Sequence, residues 1–320
     1  MIPSLNSISS RLRVRQLKLL IALEEHGSLH KAAEQVAITQ PGATKALHEI
    51  EATLGATLFT RTSQGLVPND LGRCVIRYAR LIQSDIAHLR EEMIGILHGQ
   101  GGRLSIGVIM GAVPLLMQSL NRLRQKQPEL SIHIAEDTSA RLLALLDQGR
   151  VDVVICRTSV STRPDAYEKL IEHPESLALV AHPNHPLANA SLSSLDELIG
   201  YRWVVYPSNM PMRLALEQQF RLAGLDFPRY PIETASTFTM LSLLQEDPHL
   251  LAVMPSDVAL FSERFGLLKR FSIDLQINSE PYSVVIRQGM DVTAPAKMLI
   301  EELRQDMGLT VQPHRQEITA

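Results

Sequence analysis

The chain has little of several features that define whole classes of protein. Only two of its 320 residues are cysteine, Cys74 and Cys156, which excludes a disulfide framework and indicates a reducing compartment. No stretch approaches the roughly 20 apolar residues that a bilayer span requires. The N-terminus also lacks the apolar core of an export signal. These absences predict a cytoplasmic chain with no membrane partner.

Motifs of the common enzymes are also missing. The sequence contains no G-x-S-x-G, P-loop, H-E-x-x-H or dinucleotide-binding glycine pattern. His182 and His185 fall in a proline-rich loop without a third ligand at a recognisable spacing, which favours a plain turn over a metal site. We therefore expect no catalysis, no cofactor and no metal.

Charge is unevenly distributed along the chain, whose formal net charge is −3. Residues 1–100 carry 11 Lys and Arg against 9 Asp and Glu, whereas the remainder carries 20 against 25. A basic surface is what binding to nucleic-acid phosphates requires. An excess of two is too small to identify such a surface, so the pattern of residues has to decide.

Residues 13–54 show the periodicity of three short amphipathic helices. Gly27 and Ser28 separate the first helix from the second, and Pro41 falls in the first turn of the third. Opposite its apolar face the third helix carries a polar face of Gln40, Thr44, Lys45 and His48. This is the layout of a helix-turn-helix, whose second helix enters the major groove of DNA. A plain three-helix bundle with a solvated polar face fits the same pattern and stays open.

A hairpin and a long helix follow. Residues 57–61 and 66–68 read as an extended pair around a turn, which we interpret as a wing. Along residues 70–98 apolar side chains step by threes and fours over about 40 Å, which predicts a coiled-coil dimer. This apolar seam consists of Leu71, Val75, Tyr78, Ile82, Ile86, Leu89, Met93 and Ile96. Glycine-rich residues 99–103 predict a hinge.

Short apolar runs then alternate with helical patterns, which predicts parallel strands covered by helices. The predicted strands are 104–108, 130–136, 151–156, 177–181, 202–206, 231–235, 250–255 and 282–287. The predicted helices are 114–126, 140–148, 211–223, 237–246 and 294–306. The predicted fold class is α/β, with an N-terminal winged helix-turn-helix, a long linker helix and a two-lobed C-terminal α/β domain. Lobe I is expected at about 104–172 and 278–307, and lobe II at about 173–277, with a cleft between them. The polar tail 308–320 is expected to be disordered.

The segment 13–72 resembles the N-terminal signature of the LysR-type transcriptional regulators. The shared features are Ala-Glu before the turn, Thr-Gln-Pro opening the third helix, Glu-Ile-Glu-x-x-Leu-Gly closing it, and Leu-Phe-x-Arg entering the wing. The resemblance spans about residues 11–307. It implies a DNA-binding domain at 11–69, a dimerisation helix at 70–98, a hinge at 99–103 and an effector-binding domain at 104–307 similar to periplasmic binding proteins.

The resemblance implies a sequence-specific regulator whose binding to operator DNA is modulated by a small-molecule effector. The expected effector is an organic anion from sugar or aromatic catabolism. Expected partners are double-stranded operator DNA and a second copy, in a homodimer or homotetramer, with RNA polymerase as a further candidate. The residues expected at DNA are Ser28, Lys31, Thr39, Gln40, Pro41, Thr44, Lys45, His48 and Arg61. Many relatives have Ala-Leu-Ser-Arg where this chain has Gly-Ala-Thr-Lys at 42–45, so the base preference is expected to differ.

Effector candidates lie where predicted strands end and helices begin, because helix N-termini present unpaired N–H groups and a partial positive charge. They are Met110, Gly111, Thr138, Ser139, Ser208, Asn209, Thr237 and Phe238, with Arg157 as an added cation. Each of these residues taken alone is equally compatible with a helix cap or an exposed loop.

Two other functions remain as alternatives. A solute-binding protein could share the C-terminal lobes, but it would need an export signal and would have no use for the first 98 residues. A redox-sensing regulator could use Cys74 and Cys156, but the first is predicted on the linker helix and the second on a buried strand, where thiols are commonly inert.

Overall fold

A computed structural model describes residues 3–63, 65–98, 102–190, 194–271, 273 and 278–306. The chain divides into two compact units, one formed by Met1–Arg103 with Ala144–Val151 and the other by Leu104–Leu143 with Asp152–Ala320. Within the described ranges no helix is both long and apolar enough to cross a membrane. The predicted tail 308–320 and most of the predicted hinge, at 99–101, lie outside the described residues.

The first unit is mainly helical. Its elements are α1 (Leu5–Arg11), α2 (Val14–His26), α3 (Leu29–Gln35), α4 (Gln40–Leu54), β1 (Phe59–Thr62), β2 (Gly65–Pro68) and α5 (Asp70–His98). Its core includes Leu20, Leu23, Ile50 and Ile76, each exposed by 1% or less. The three predicted helices, the antiparallel wing and the long helix are thus all present. Residues 1–10 had no sequence-based interpretation; in the structure Ser4 caps α1 by accepting a hydrogen bond from the Ser7 amide.

The second unit contains the remaining strands and helices around a nine-stranded sheet, apart from Arg103 of β3 and the last four residues of α7, which belong to the first unit. They are β3 (Arg103–Val108), α6 (Val113–Lys126), β4 (Ser131–Glu136), α7 (Ser139–Asp147), β5 (Val153–Cys156), β6 (Tyr167–Ala181), β7 (Arg202–Val205), α8 (Pro211–Leu222), β8 (Ile232–Glu233), α9 (Thr237–Glu246), β9 (Leu250–Pro255), α10 (Ser256–Arg264), β10 (Lys269–Arg270), β11 (Asn278–Arg287) and α11 (Ala294–Asp306). The strand order is β4-β3-β5-β11-β6-β9-β7-β8, with β10 also paired to β6.

Two long strands join the lobes of this unit. The first part of β6 pairs antiparallel with β11, and its last part, Leu177–Ala181, pairs with β9. Strand β11 also pairs with β5, so the end of the chain returns to the first lobe. Sequence analysis predicted only residues 177–181 of β6, because the earlier part alternates charged and apolar residues and has one face exposed. The strand predicted at 231–235 contains only Ile232–Glu233, since Pro231 has no N–H for a ladder.

A cluster of charges fixes α11 to α6. Glu302 is 3% exposed, and one carboxylate oxygen accepts from Arg122 Nε at 2.8 Å while the other accepts from Lys126 Nζ. Asp306 accepts from Ser119 Oγ and from Arg122 Nη2, both at 2.6 Å. The buried carboxylate is therefore fully engaged with half-exposed cations, which ties the C-terminal helix to the first lobe.

Glu302→Gln is expected to destabilise the second unit by about 1 to 2 kcal/mol at neutral pH, because a charged hydrogen-bond acceptor is lost. Hydrogen bonds from Lys126 and Arg122 hold the pKa of Glu302 below its ordinary value of 4.5. Its contribution is therefore present above pH 4.5 and is lost as the pH falls through the lowered pKa. Unfolding measured from pH 7 into acid should show the difference from wild type shrinking. Exposed Glu301→Gln is the matched control, and a difference independent of pH would contradict this account.

Candidate functional site

Helix α4 of the first unit is built to present one face to solvent. Thr39 caps it, and its hydroxyl oxygen accepts from the Gly42 amide at 3.3 Å. Pro41 lies in the first turn, where a missing N–H costs no helical hydrogen bond. Ala43, Leu47 and Ile50 are buried against the other helices. The opposite face is therefore left for a partner.

The residues predicted to contact DNA are mostly exposed in the same compact unit. Lys31, Thr39, Gln40, Pro41, Lys45, His48 and Arg61 are exposed, whereas Ser28 and Thr44 are half-buried. The Thr44 hydroxyl donates to the Gln40 carbonyl at 3.1 Å, and the His48 ring lies 4.0 Å from the Glu51 carboxylate. Lys31, Lys45 and Arg61 place cations on α3, α4 and β1. The cations of such a surface can contact the phosphates of a nucleic acid, and its polar side chains can contact the edges of the bases.

The wing is held in place by backbone contacts. Gly65 has a φ of +114°, which L side chains rarely adopt, and a Cβ there would overlap the Gly27 carbonyl oxygen. The Leu66 amide donates to that same carbonyl at 2.8 Å. At the other end of the hairpin, Asn69 donates through its amide side chain to the Thr57 carbonyl at 2.9 Å. These contacts fix β1, and with it Arg61, relative to α2.

Helix α5 carries the predicted apolar seam largely in the open. Leu71, Tyr78, Ile82, Ile86, Leu89 and Met93 are exposed by between 39% and 57%. Val75 is partly buried in the core of its own unit, and the side chain of Ile96 lies outside the described residues. In the N-terminal half of α5, Arg80 donates to Glu24 at 2.7 Å and to Glu25 at 3.2 Å, which attaches α5 to α2. The exposed row is long enough to accept a second helix.

The second unit contains a cleft of about 520 Å³ between its lobes. Six of the nine predicted effector residues line it: Met110, Gly111, Thr138, Ser139, Arg157 and Asn209. Ser208, Thr237 and Phe238 are not among the lining residues. Ser208 and Phe238 are exposed, Phe238 by 81%, and Thr237 begins α9. Strand β3 stops at Val108, so Met110 and Gly111 lie in a short 3-10 turn before α6 instead of closing the strand as predicted.

A buried ion pair forms one wall of this cleft. Arg157 Nη2 donates to the Glu175 carboxylate and, at 3.2 Å, to Ser279 Oγ, while its Nε donates to the Glu280 carbonyl at 2.8 Å. The side chains of Arg157 and Glu175 are 6% and 4% exposed. Burial raises the pKa of Glu175, and the adjacent guanidinium opposes that shift. Arg157 therefore lies at the cleft as predicted, with its charge already balanced.

Sequence analysis missed three acidic lining residues. Glu136 ends β4, Asp137 follows it directly, and Glu175 lies within the charged part of β6. The position of Asp137, directly before the predicted Thr138, was a signal that could have found it. Glu175 gave none, because a carboxylate in an alternating strand usually faces water.

The two cysteines lie on the predicted elements, and the two histidines lie in a turn. Cys74 lies on α5, and Cys156 is buried in β5, where burial raises the pKa of its thiol to about 12. His182 Nδ1 accepts from the Asn184 amide and His185 Nδ1 from the Leu187 amide, each at 3.0 Å, as in a turn. Among the residues described, no group of three or more His, Cys, Asp or Glu side chains is arranged to hold a metal.

Comparisons with known proteins cover nearly the whole chain. Residues 14–73 match the family model described as bacterial regulatory helix-turn-helix protein, lysR family, and residues 98–308 match the LysR substrate binding domain. The HTH-type transcriptional regulator GbpR of Azospirillum brasilense is 32% identical over 305 residues, which cover 93% of this chain and 87% of that protein. A GbpR of Rhizobium radiobacter is 29% identical over 248 residues, covering 77% and 82%.

Solved structures show the same fold. The crystal structure of CbnR, a LysR family transcriptional regulator, aligns with a TM-score of 0.62 at 20% sequence identity, covering 92% of this chain and 99% of that chain. Full-length CbnR complexed with its target DNA has the same TM-score and coverage.

Proposed function

Because the chain belongs to the LysR family of transcriptional regulators, we propose that it reads a specific operator through α4 and the wing, under the control of a small molecule bound in its cleft. Members of this family are regulators, not enzymes. The observation that carries the DNA-reading part is α4 itself, with its inner face buried and Gln40 and Lys45 exposed on the other. CbnR, which has the same fold, has been crystallised with its target DNA.

The proposed readout follows from the side chains on that face. Gln40 can pair with adenine through two hydrogen bonds, and Lys45 can serve guanine or a phosphate. Arg61 on the wing is proposed to approach the backbone or the minor groove. The other predicted residues lie on α3 and α4, where they can position the domain through phosphates.

We propose that two copies pair through the exposed seam of α5. A row of six exposed apolar side chains on one helix is costly in water and is covered when a second helix packs against it. A two-fold symmetric protein binds an inverted repeat with half-sites about one helical turn, or a multiple of it, apart. The number of copies in the assembly, two or four, remains a prediction. Contact with RNA polymerase and a cytoplasmic location are predictions as well.

The test is selection of duplex DNA from a random pool with the full chain, followed by affinity measurements on the enriched sequence at two salt concentrations. We expect an inverted repeat, bound more weakly as salt rises. Lys45→Ala should weaken binding by about 1 to 3 kcal/mol, since it removes a contact to a base or phosphate.

The matched control is Lys18→Ala, which removes the same charge from an exposed position on α2. It should change affinity much less than Lys45→Ala. Equal losses in the two variants would mean that only net charge matters, and an unenriched pool would overturn the operator-reading role.

The proposed effector site is the cleft, because the matched substrate-binding domain contains it and six sequence-predicted residues line it. Ligand binding can act on the operator complex only through different affinities for two arrangements of the protein. The chemical class of the effector, expected from the sequence to be an organic anion, remains a prediction. A redox role has less support, because Cys156 is buried and its thiol is held protonated.

A further inference from the structure

The charged side chains around the cleft are predominantly acidic. Among the described lining residues, Glu136, Asp137 and Glu175 contribute three carboxylates against the one guanidinium of Arg157, a formal charge of −2. Exposed Arg141 lies 3.6 Å from the Asp137 carboxylate, and solvent screens its charge as it screens that of exposed Glu136. Counting Arg141 as well, the charged groups still sum to −1. A negatively charged ligand that enters this cleft would therefore be repelled by the excess of carboxylates.

Among the described lining residues, the one cation is already paired within the protein. Arg157 gives Nη2 to Glu175 and Ser279 and Nε to the Glu280 carbonyl, and it is 6% exposed. Because the adjacent Glu175 carboxylate balances its charge, a ligand carboxylate gains less from this guanidinium than it would from an unpaired one. Arg157 thus organises the wall of the cleft and attracts an anion only weakly.

The remaining groups include both hydrogen-bond donors and acceptors. The first turn of α7 borders the cleft, and amides in a first helical turn lack acceptors within the helix. On the opposite lobe, α8 begins at Pro211, which has no N–H, and the Arg213 amide already donates to the Met210 carbonyl. Thr138 and Asn209 add a hydroxyl and a carboxamide. Acceptors are supplied by the carboxylates, including Glu175 Oε1, which lies so close to Gly111 that a Cβ there would overlap it. An alcohol hydroxyl donates and accepts at once, and therefore matches this mixture without a net charge.

We propose that the effector is a neutral, hydroxyl-rich molecule of the size of a monosaccharide or alditol. This inference rests on the proposed effector role of the cleft and narrows it, replacing the organic anion with an uncharged ligand. A cleft of about 520 Å³ lies within the usual range for small-molecule sites and holds a monosaccharide with bound water. Met110, Met210 and Met212 supply apolar wall for the carbon faces of such a molecule.

The test uses matched probes that differ by one charge. Calorimetry on the full chain at neutral pH and low salt would compare a panel of neutral aldoses and alditols with the corresponding aldonates and 2-amino sugars. We expect a neutral member to bind and its aldonate to bind at least about tenfold more weakly, a difference of about 1.4 kcal/mol. Glu136→Gln should narrow that gap, because it removes one lining charge and keeps the shape. Glu129→Gln, which removes an exposed charge outside the cleft, should leave it unchanged.

Other outcomes would overturn the inference. An aldonate that binds as tightly as its aldose would show that the cleft does not select against negative charge. An amino sugar that binds most tightly would assign the site to cations. If no panel member binds while the selected operator is still bound, the hydroxyl-rich ligand is wrong and DNA reading stands. Loss of operator binding in wild type would instead count against the proposed function itself.

Discussion

Arg157→Ala is expected to destabilise the two-lobed unit by about 3 to 5 kcal/mol, because it leaves the buried carboxylate of Glu175 without its counterion. The two side chains are 6% and 4% exposed, so water cannot replace the missing partner. The variant also loses the hydrogen bonds to Ser279 and to the Glu280 carbonyl. Thermal and denaturant unfolding of the full chain would measure the loss in the transition of this unit.

The pH dependence of that loss is part of the expectation. Burial already raises the pKa of Glu175, and removal of Arg157 raises it further. A raised pKa in the folded state favours the folded protein below the unfolded value of 4.5, and this advantage is lost as the pH rises through the folded pKa. The cost of Arg157→Ala should therefore be smallest in mild acid and grow toward neutral pH.

The double variant Arg157→Met/Glu175→Leu is the control for an uncompensated charge. Replacing both members of a buried pair with apolar side chains of similar volume is often neutral or stabilising. Stability close to wild type in the double variant would assign the loss in Arg157→Ala to the unpaired carboxylate. A double variant as unstable as the single one would contradict that assignment and point to the Ser279 and Glu280 contacts.

Gly72→Ala is expected to destabilise the first unit by about 1 to 3 kcal/mol, the usual cost of overpacking. In an exposed helix the same change would stabilise by about 1 kcal/mol, because alanine is the better helix former. Here the new Cβ would overlap the carbonyl oxygen of Leu58 and approach Pro68 Cβ to 3.1 Å, so backbone has to move. Since those residues flank the wing, operator affinity should fall together with stability.

Gly42→Ala is a closely matched control for that prediction. Gly42 and Gly72 each occupy the third position of a helix and donate their amide to the capping side chain, Thr39 in α4 and Asn69 in α5. The atom nearest to a Cβ at Gly42 is the Thr39 hydroxyl oxygen at 3.1 Å, the end of a small side chain that can shift. Calorimetry with hydrogen exchange over residues 57–76 would compare the two variants. Equal effects would show that the contact at Leu58 is not the cause.

Local periodicity predicted most of the fold. The apolar spacing along α2 to α5 and the alternation of short runs beyond β3 are properties of neighbouring residues, which a sequence displays directly. Helix α10 was missed because it is only nine residues long and keeps Leu260 and Phe261 exposed, so no clear apolar face marks it. The start of β6 was missed because its charged positions resemble a loop.

The residues of the cleft also include some that the sequence could predict and some that it could not. Thr138, Ser139 and Asn209 could be predicted, because the ends of strands and starts of helices are visible in sequence, and in each lobe they border the cleft. The pairing of Arg157 with Glu175 could not, because 18 residues and a change of strand separate them. Sequence analysis counted the cation of Arg157 and the helix N-termini but missed the lining carboxylates, which is why it suggested an anion.

The passage of β6 from one lobe to the other determines how the cleft can deform. Its partner changes from β11 at Ser176 to β9 at Leu177, and the ladder with β11 shifts register between Ser279 and Tyr282. Both lobes are therefore hydrogen-bonded to the same two strands, so a hinge motion of one lobe against the other would break hydrogen bonds of the ladder. We expect the lobes to move instead by twisting of β6 and β11 where their register shifts. Arg157 connects Glu175 and Ser279 beside that shift, so it should resist the twisting.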